Sequence, residues 1–292
     1  MTQLSATEIL FCHNTWQHTS VIQLVKETDQ GKWFVTKETP FHPVSHIWPD
    51  HPEDKGTVQI GSNDYPILAC QTGAIELATG ELYIDKDIPI KRGESGWVFV
   101  ISHLISKDAN LSVENTANLQ VDKTYQDALS RGHSAGHIAY LALNKILHAN
   151  YWRKDADRKD ELGHYNFNSY AQETSFVTED HCEDVYRLGK TLRKRGLNSA
   201  DMITDLDVIA EQVNKQIIEW LALENEVIIE CEGKALTDSR YWIADFGIDG
   251  VAKLPCGGTH VSSFIEYQEI NVQLKMQSEQ ELLMLTRSKQ RI

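Results

Sequence analysis

At 292 residues, with 41% hydrophobic and 24% charged side chains, the chain can bury one large core or two ordinary ones, and its composition is not that of a disordered protein. A net charge of −14, from 28 basic and 42 acidic residues, excludes non-specific coating of DNA or RNA, which needs Lys and Arg against phosphate, and leaves any nucleic-acid partner to a local face. No run reaches the roughly 18 apolar residues of a membrane span; the first twenty residues lack the pattern of a secretory signal; and five scattered cysteines without a CxxC pair point to a reducing, cytoplasmic setting rather than a disulfide framework.

Residues 20–25 (SVIQLV) and 32–36 (KWFVT) read as two strands of a hairpin across the TDQG turn. Residues 39–56 carry four prolines within thirteen positions, which excludes regular helix and central strand. This loop bears His42, His46 and His51. An irregular loop fixes no ligand geometry, so the reading is a stiffened loop that can line a pocket, with His42 and His46 as its candidate pocket residues. Short strands then follow at close spacing: 57–60, 65–70, 73–77, 81–84, 96–101 and 117–121. That spacing suggests a small β-barrel, so residues 1–120 are expected to form an N-terminal β-barrel-like domain.

Composition then shifts to helix. Asp122 is a capping-type residue, and 122–131 continue helically. Gly132 reads as a break, since glycine costs about 1 kcal/mol inside a helix. Residues 133–149 form a second helix with Ile138, Leu141, Ala142, Ile146 and Leu147 available for the core. Residues 150–200 are polar with weak periodicity. Within them Arg187, Lys190, Arg193, Lys194 and Arg195 cluster, which fits either a polyanion patch or a solvated helix face. Residues 205–224 form an amphipathic helix. Strands are expected at 227–232, 241–246, 264–267, 270–276 and 281–287, the last returning to the same sheet. The fold class is therefore α+β, with residues 121–292 a metal-binding domain of helices packed on an antiparallel sheet.

Two short motifs carry chemistry. In Arg131-Gly132-His133-Ser134-Ala135-Gly136-His137, the two histidines stand four apart on one helical face and can point at one ion, each about 2 Å from it. In Pro255-Cys256-Gly257-Gly258-Thr259-His260, the glycines allow a tight turn that lets thiolate and imidazole converge. Three nitrogens and one thiolate make a tetrahedral set whose softness suits Zn²⁺. Without an ion, His260 reads as a core histidine and Cys256 as a buried thiol.

The pair HSAGH and CGGTH resembles the HxxxH and CxGTH motifs of the editing domain of alanyl-tRNA synthetase and of its freestanding AlaX-type relatives. The lead-in from Val121 to Arg131 is similar to the family's helix before its first histidine pair, and residues 241–246 stand where the family has a strand before its cysteine. The resemblance covers about residues 121–275. In larger members a small barrel precedes this part. Three positions depart from the pattern: Gly136 stands where a glutamine is usual, Ser134 replaces a threonine, and the proline loop replaces a glycine-rich one. They sit where the family recognises the aminoacyl group.

The resemblance implies a zinc-dependent hydrolase that removes serine or glycine from mischarged tRNA for alanine, with aminoacyl-tRNA as partner. It implies His133, His137 and His260 as ligands, with Cys256 the least firm of the four, because a catalytic ion needs an open coordination place. Gly257 and Gly258 offer backbone N–H groups to an oxyanion, while Thr259 either orients substrate or bonds locally as a turn hydroxyl. Ser134 stands beside the substrate in this picture. Two alternatives are a zinc hydrolase of the same fold acting on a different aminoacyl or acyl ester, and a non-catalytic domain that binds tRNA or another partner around a structural zinc.

Overall fold

Alternation of side chains along extended segments organises the first part of the chain. The computed structural model describes residues 4–46 and 49–291; Ile47 and Trp48 of the proline loop lie outside the described residues. The strands are β1 (Glu8–Ile9), β2 (Gln17–Glu27), β3 (Lys32–Thr36), β4 (Glu38–Thr39), β5 (Gly56–Ile60), β6 (Asn63–Pro66), β7 (Ala69–Glu76), β8 (Leu82–Ile84), β9 (Trp97–Ile105) and β10 (Thr116–Val121). Eight of them form one antiparallel sheet in the order β6-β5-β10-β2-β3-β9-β7-β8, and β1 pairs with β4 in parallel. Consecutive residues of a strand face opposite sides, and both sides are covered here. Phe34 and Ile101 enter one core cluster while their neighbours Val35 and Val100 enter another. The expected barrel is found as an open strand order. Its outer strands β6 and β8 do not pair with each other among the described residues. The stretch 65–70, expected as one strand, is divided between β6 and β7. The Ile67 N–H still donates to the Gly56 carbonyl at 2.9 Å, after which the chain leaves β5 and joins β9 as β7.

This sheet belongs to a compact unit comprising the described residues up to Gln126, with 231–240 and 257–259. Asp54 closes the proline loop inside that unit. Its carboxylate accepts from the His42 N–H at 2.7 Å and from Gln126 Nε2 at 2.6 Å, and its own N–H donates to the His42 carbonyl at 2.9 Å. The second carboxylate oxygen is buried without a partner among the described residues, and burial pushes the Asp54 carboxyl up to about 7.

The second unit holds 127–230, 241–256 and the described residues from His260 on. Its helices are α1 (Lys123–Asn150), which begins in the first unit, then α2 (Phe167–Ala171), α3 (Lys190–Lys194), α4 (Ser199–Thr204) and α5 (Leu206–Leu221). Strands β11 (Gln172–Thr178), β12 (His181–Arg187), β16 (Tyr267–Met276) and β17 (Glu281–Gln290) form an antiparallel sheet in the order β11-β12-β17-β16. Strands β13 (Val227–Cys231), β14 (Arg240–Asp245) and β15 (Val251–Pro255) form another. Two sequence expectations change. The hairpin β11–β12 lies in a stretch that reads as aperiodic, and residues 264–266 form a 3₁₀ turn before β16 rather than a strand. Helix α5 lays Ile209, Val213, Ile217 and Trp220 into the core. Its Asn214 side chain donates to the Val272 carbonyl at 2.9 Å and accepts from the Val272 N–H at 2.7 Å, so the open edge of β16 finds a partner.

The larger correction concerns Gly132. Helix α1 runs through it without a break. A Cβ there would stand 2.6 Å from the Thr178 carbonyl and 2.7 Å from that of His181, and a Cβ at Gly136 would stand 2.8 Å from Cys182 Sγ. Both glycines therefore let α1 lie directly against the β11–β12 hairpin. Arg131 locks that contact with two hydrogen bonds to Asp180, at 2.5 and 3.0 Å. The Asp180 N–H also donates to the Ala128 carbonyl at 2.8 Å. Asp180 itself adopts a left-handed turn conformation with φ of 56°.

Two outcomes test these assignments. Gly132→Ala should destabilise by about 1–3 kcal/mol in urea unfolding although alanine is the better helix former, because the backbone it meets cannot yield. Gly136→Ala should cost a similar amount, and Cys182→Ala should recover much of it by vacating the space. The second concerns pH. In the fold Asp54 holds its proton up to about pH 7, whereas in the unfolded chain it loses it near about pH 4. Unfolding between these values releases a proton, so this group's contribution makes stability fall as pH rises through that window. Asp54→Asn should remove that dependence, an effect of a few kcal/mol by order of magnitude. A constant difference between the two proteins at about pH 5 and about pH 7.5 would overturn the assignment.

Candidate metal centre

Helix α1 supplies half of the centre and the end of β15 the other half. Asp122 caps the helix, its carboxylate accepting from the Tyr125 N–H at 3.1 Å. One turn separates His133 from His137, so both rings leave the same face. Ring centroids are 4.8 Å apart. In the β14–β15 pair, Trp242 lies opposite Leu254 and Tyr241 opposite Pro255, and the strand ends by delivering Cys256. His260 returns to stack on His133, centroid to centroid 4.3 Å.

Three ring nitrogens converge on one sulfur, itself the fourth donor. Nε2 of His133 and Nε2 of His137 each stand 3.4 Å from Cys256 Sγ, and Nε2 of His260 stands 3.2 Å from it. All four donor atoms lie within 4.8 Å of one another. Tetrahedral zinc, with bonds of about 2.3 Å to sulfur and about 2.0 Å to nitrogen, separates S from N by about 3.5 Å. The donor spacing therefore fits such an ion closely, and the residues present fit a group with soft, mixed N and S preference. Burial pushes the His137 imidazole down to about 3, so it is neutral and keeps its lone pair for a ligand bond. Trp242 stands 5.3 Å from the His137 ring, and Tyr140 stands edge-on to it at 5.9 Å. Burial, and then the neighbouring acids Glu161 and Asp160, push the Tyr140 phenol well up.

Ser134 lies behind the ligands. Its Oγ is 3.0 Å from His260 Nδ1 and accepts from the Val261 N–H at 3.2 Å. With Nε2 turned to the sulfur, the Ser134 hydroxyl at Nδ1 fixes the orientation of the ring. The relay continues through Tyr267, which shares a hydrogen bond with Ser134 and donates from its hydroxyl to the Arg131 carbonyl at 2.8 Å. Gly136 offers no side chain to the centre because it faces Cys182.

The loop residues sort differently. His42 and His51 are buried as a ring pair with centroids 4.3 Å apart, and His51 Nε2 lies 3.3 Å from Thr259 Oγ1. Burial pushes His51 down to about 4; His42 falls well below its usual value through burial first and its neighbour His51 second. Thr259, next in sequence to His260, is thus held by the proline loop. His46 is exposed and bonded to Asp85 at 3.0 Å through its ring, away from that pairing. Gly257 lies against the Arg240 guanidinium, 3.0 Å from where its Cβ would stand, and Gly258 is buried. Sequence reasoning did not find Trp242 or Tyr267 as parts of this arrangement. An aromatic strand position carries no motif; only the contact with His137 or Ser134 marks it.

Replacement of Ser134 by Ala should weaken zinc binding by about 10–100-fold in a chelator competition, with the ligands intact. Affinity equal to wild type would show that the hydroxyl does not orient His260.

No protein-family model matches the chain. It is 26% identical over 223 residues to the alanine–tRNA ligase of Thermotoga maritima (strain ATCC 43589 / DSM 3109 / JCM 10099 / NBRC 100826 / MSB8), a match covering 72% of the chain and 22% of that protein. It is 23% identical over 222 residues to the alanine–tRNA ligase of Thermotoga sp. (strain RQ2), again over 72% of the chain and 22% of the relative. The matched part is thus about a fifth of the length of these ligases, and the relationship is distant.

Proposed function

We propose that this protein is a zinc-dependent hydrolase that cleaves the ester between an amino acid, serine or glycine, and tRNA for alanine. The observation that carries this reading is the convergence of His133, His137, Cys256 and His260 on one point from two motifs 119 positions apart. The distant similarity to alanine–tRNA ligases supports tRNA as the carrier of the ester. Among the described residues no helix is long and apolar enough to cross a membrane.

His133, His137 and His260 would hold the ion through Nε2, with Cys256 as the thiolate. Bound zinc supplies Lewis acidity toward an ester carbonyl or a water, whose pKa falls to about 7. The chain's own residues do the rest. Burial keeps His137 neutral. Ser134 and Tyr267 hold the His260 ring with Nε2 turned to the other donors. His51 restrains the Thr259 hydroxyl, whose proposed part is to orient the acyl end. Backbone N–H groups of Gly257 and Gly258 are the proposed donors to the developing oxyanion. In the reaction water adds to the acyl carbon, the bond to the ribose oxygen breaks, that oxygen takes up a proton and the amino acid leaves.

A second reading is favoured by the donor count. Four protein donors close a tetrahedron, as in structural zinc sites. Held by all four residues, the ion would serve the fold; a catalytic role would rest on the three histidines, with Cys256 the least firm donor.

Purified protein should contain close to one zinc per chain and deacylate seryl- or glycyl-tRNA for alanine. Chelation should abolish the activity, restored zinc should recover it, and His137→Ala should reduce kcat/KM by 10²-fold or more, on the order seen for loss of a key catalytic group. Tightly held zinc with no deacylation of any mischarged tRNA or small aminoacyl ester would favour the structural reading. A metal-free protein with His133→Ala indistinguishable from wild type would overturn the site altogether.

A further inference from the structure

A basic cleft in the second unit stands outside the metal centre. Arg153 and Lys154 follow the end of α1, and Arg193 and Lys194 close α3. With Asn198 and Ser199 they line a cleft of about 370 Å³. The backbone beneath is fixed. Arg153 N–H donates to the Gly196 carbonyl at 2.8 Å and Asn198 N–H to the Tyr151 carbonyl at 2.7 Å, and Trp152 bridges Leu197 antiparallel. Tyr151, Leu192 and Leu197 anchor both segments in the core. Gly196, at φ of 116°, lets the two segments touch; a Cβ there would stand 2.7 Å from Lys154 Cγ.

Charge around the cleft is unbalanced. Nearby Arg187 is paired with Glu173 and Arg195 with Asp157. The side chains of Arg153, Lys154, Arg193 and Lys194 have no ion pair or hydrogen bond among the described residues. No acid occurs in sequence between Arg187 and Ala200, and the next one, Asp201, is engaged by Asn198. All four cations are exposed, and Asp155, the acid that follows Lys154, is engaged by the Tyr165 hydroxyl, so the cleft presents a local cluster of positive charge that a partner with several negative charges complements. The volume falls in the range of ligand sites, about 300–1,000 Å³, and exceeds the needs of a single phosphate. The net charge of −14 confines attraction for polyanions to such local faces.

We propose that this cleft binds the phosphodiester backbone of an RNA, each pair of cations meeting a separate phosphate. Backbone contacts of this kind position a nucleic acid without reading its sequence. The proposal rests on the aminoacyl-tRNA reading above for the identity of the RNA, but its geometry belongs to this cleft alone.

The test measures binding of deacylated tRNA for alanine by fluorescence anisotropy over a salt series, for wild type, Arg193→Ala/Lys194→Ala and Arg153→Ala/Lys154→Ala. Wild type should bind with a steep salt dependence. Each double variant should bind about tenfold or more weakly at low salt, and its log–log salt slope should fall by about two, one per cation removed. Zinc content and hydrolysis of serine methyl ester should stay as in wild type, which checks folding. The single changes Lys154→Gln and Arg193→Gln give a second, milder series. Equal affinity and slope in wild type and variants overturn the proposal, as does a wild type that binds no tRNA. Inorganic pyrophosphate bound by the cleft without displacing tRNA also overturns it, since the cleft then serves a small anion. Loss of tRNA binding in the variants, with no deacylation by wild type, would retain the cleft and refute the editing reading. Deacylation with an unchanged KM for tRNA in the variants would do the reverse.

Discussion

The contact on which the second unit depends is the direct approach of helix α1 to the β11–β12 hairpin. Gly132 and Gly136 remove the two side chains that would hold helix and hairpin apart, and Arg131 binds Asp180 across the junction with both nitrogens of one edge. Bidentate pairs fix orientation as well as distance. Since a helix is rigid over one turn, fixing the face that carries Gly132 and Gly136 also fixes the face that carries His133 and His137. The ligand geometry is thus set from behind, by a packing contact that no ligand makes.

The donors themselves are arranged so that their protonation suits a metal. Burial keeps the His137 ring neutral, and the hydroxyl of Ser134 holds the His260 ring in place. Tyr267 ties that hydroxyl to the backbone of α1. A metal ligand held this way loses little freedom when the ion binds, which is where outer hydrogen bonds contribute to affinity. Gly136 takes on a different meaning in this light. A Cβ at this position would press on Cys182, so the glycine is a packing requirement of the helix face turned to the hairpin.

Electrostatics divides the molecule by function. Most of the chain is acidic and its surface repels polyanions. In the first unit three titratable groups of the proline loop are buried and neutralised: His42 and His51 are pushed down and Asp54 is pushed up. They order a loop that four prolines keep out of regular structure. In the second unit four cations are left without partners around one cleft, and the same acidic background makes that exception conspicuous.

Much of this was legible from residues alone. Short apolar runs between turns give most strands of the first unit and the returning pair β16–β17, and the 3.6 period gives helix α5, because its single covered face imposes the period. The HxxxH and CxxxH spacings give all four donors, since a helical turn and a glycine turn each bring two donors to one side. What residues alone could not give are the features decided by contact between distant segments. Gly132 reads as a helix break by propensity, yet the helix continues because the glycine's value lies in what it touches, Thr178 and His181. The β12 strand hides its alternation because Cys182 and Asp184 take inward places that apolar residues usually fill. Ser134 reads as a substrate contact until the fold turns its hydroxyl to His260, and Arg193 and Lys194 read as a solvated face until residues 151–154 fold beside them. Sequence determines which donors exist and which local turns present them. Tertiary structure decides what each side chain faces, because that depends on segments a hundred positions away whose approach no local pattern encodes.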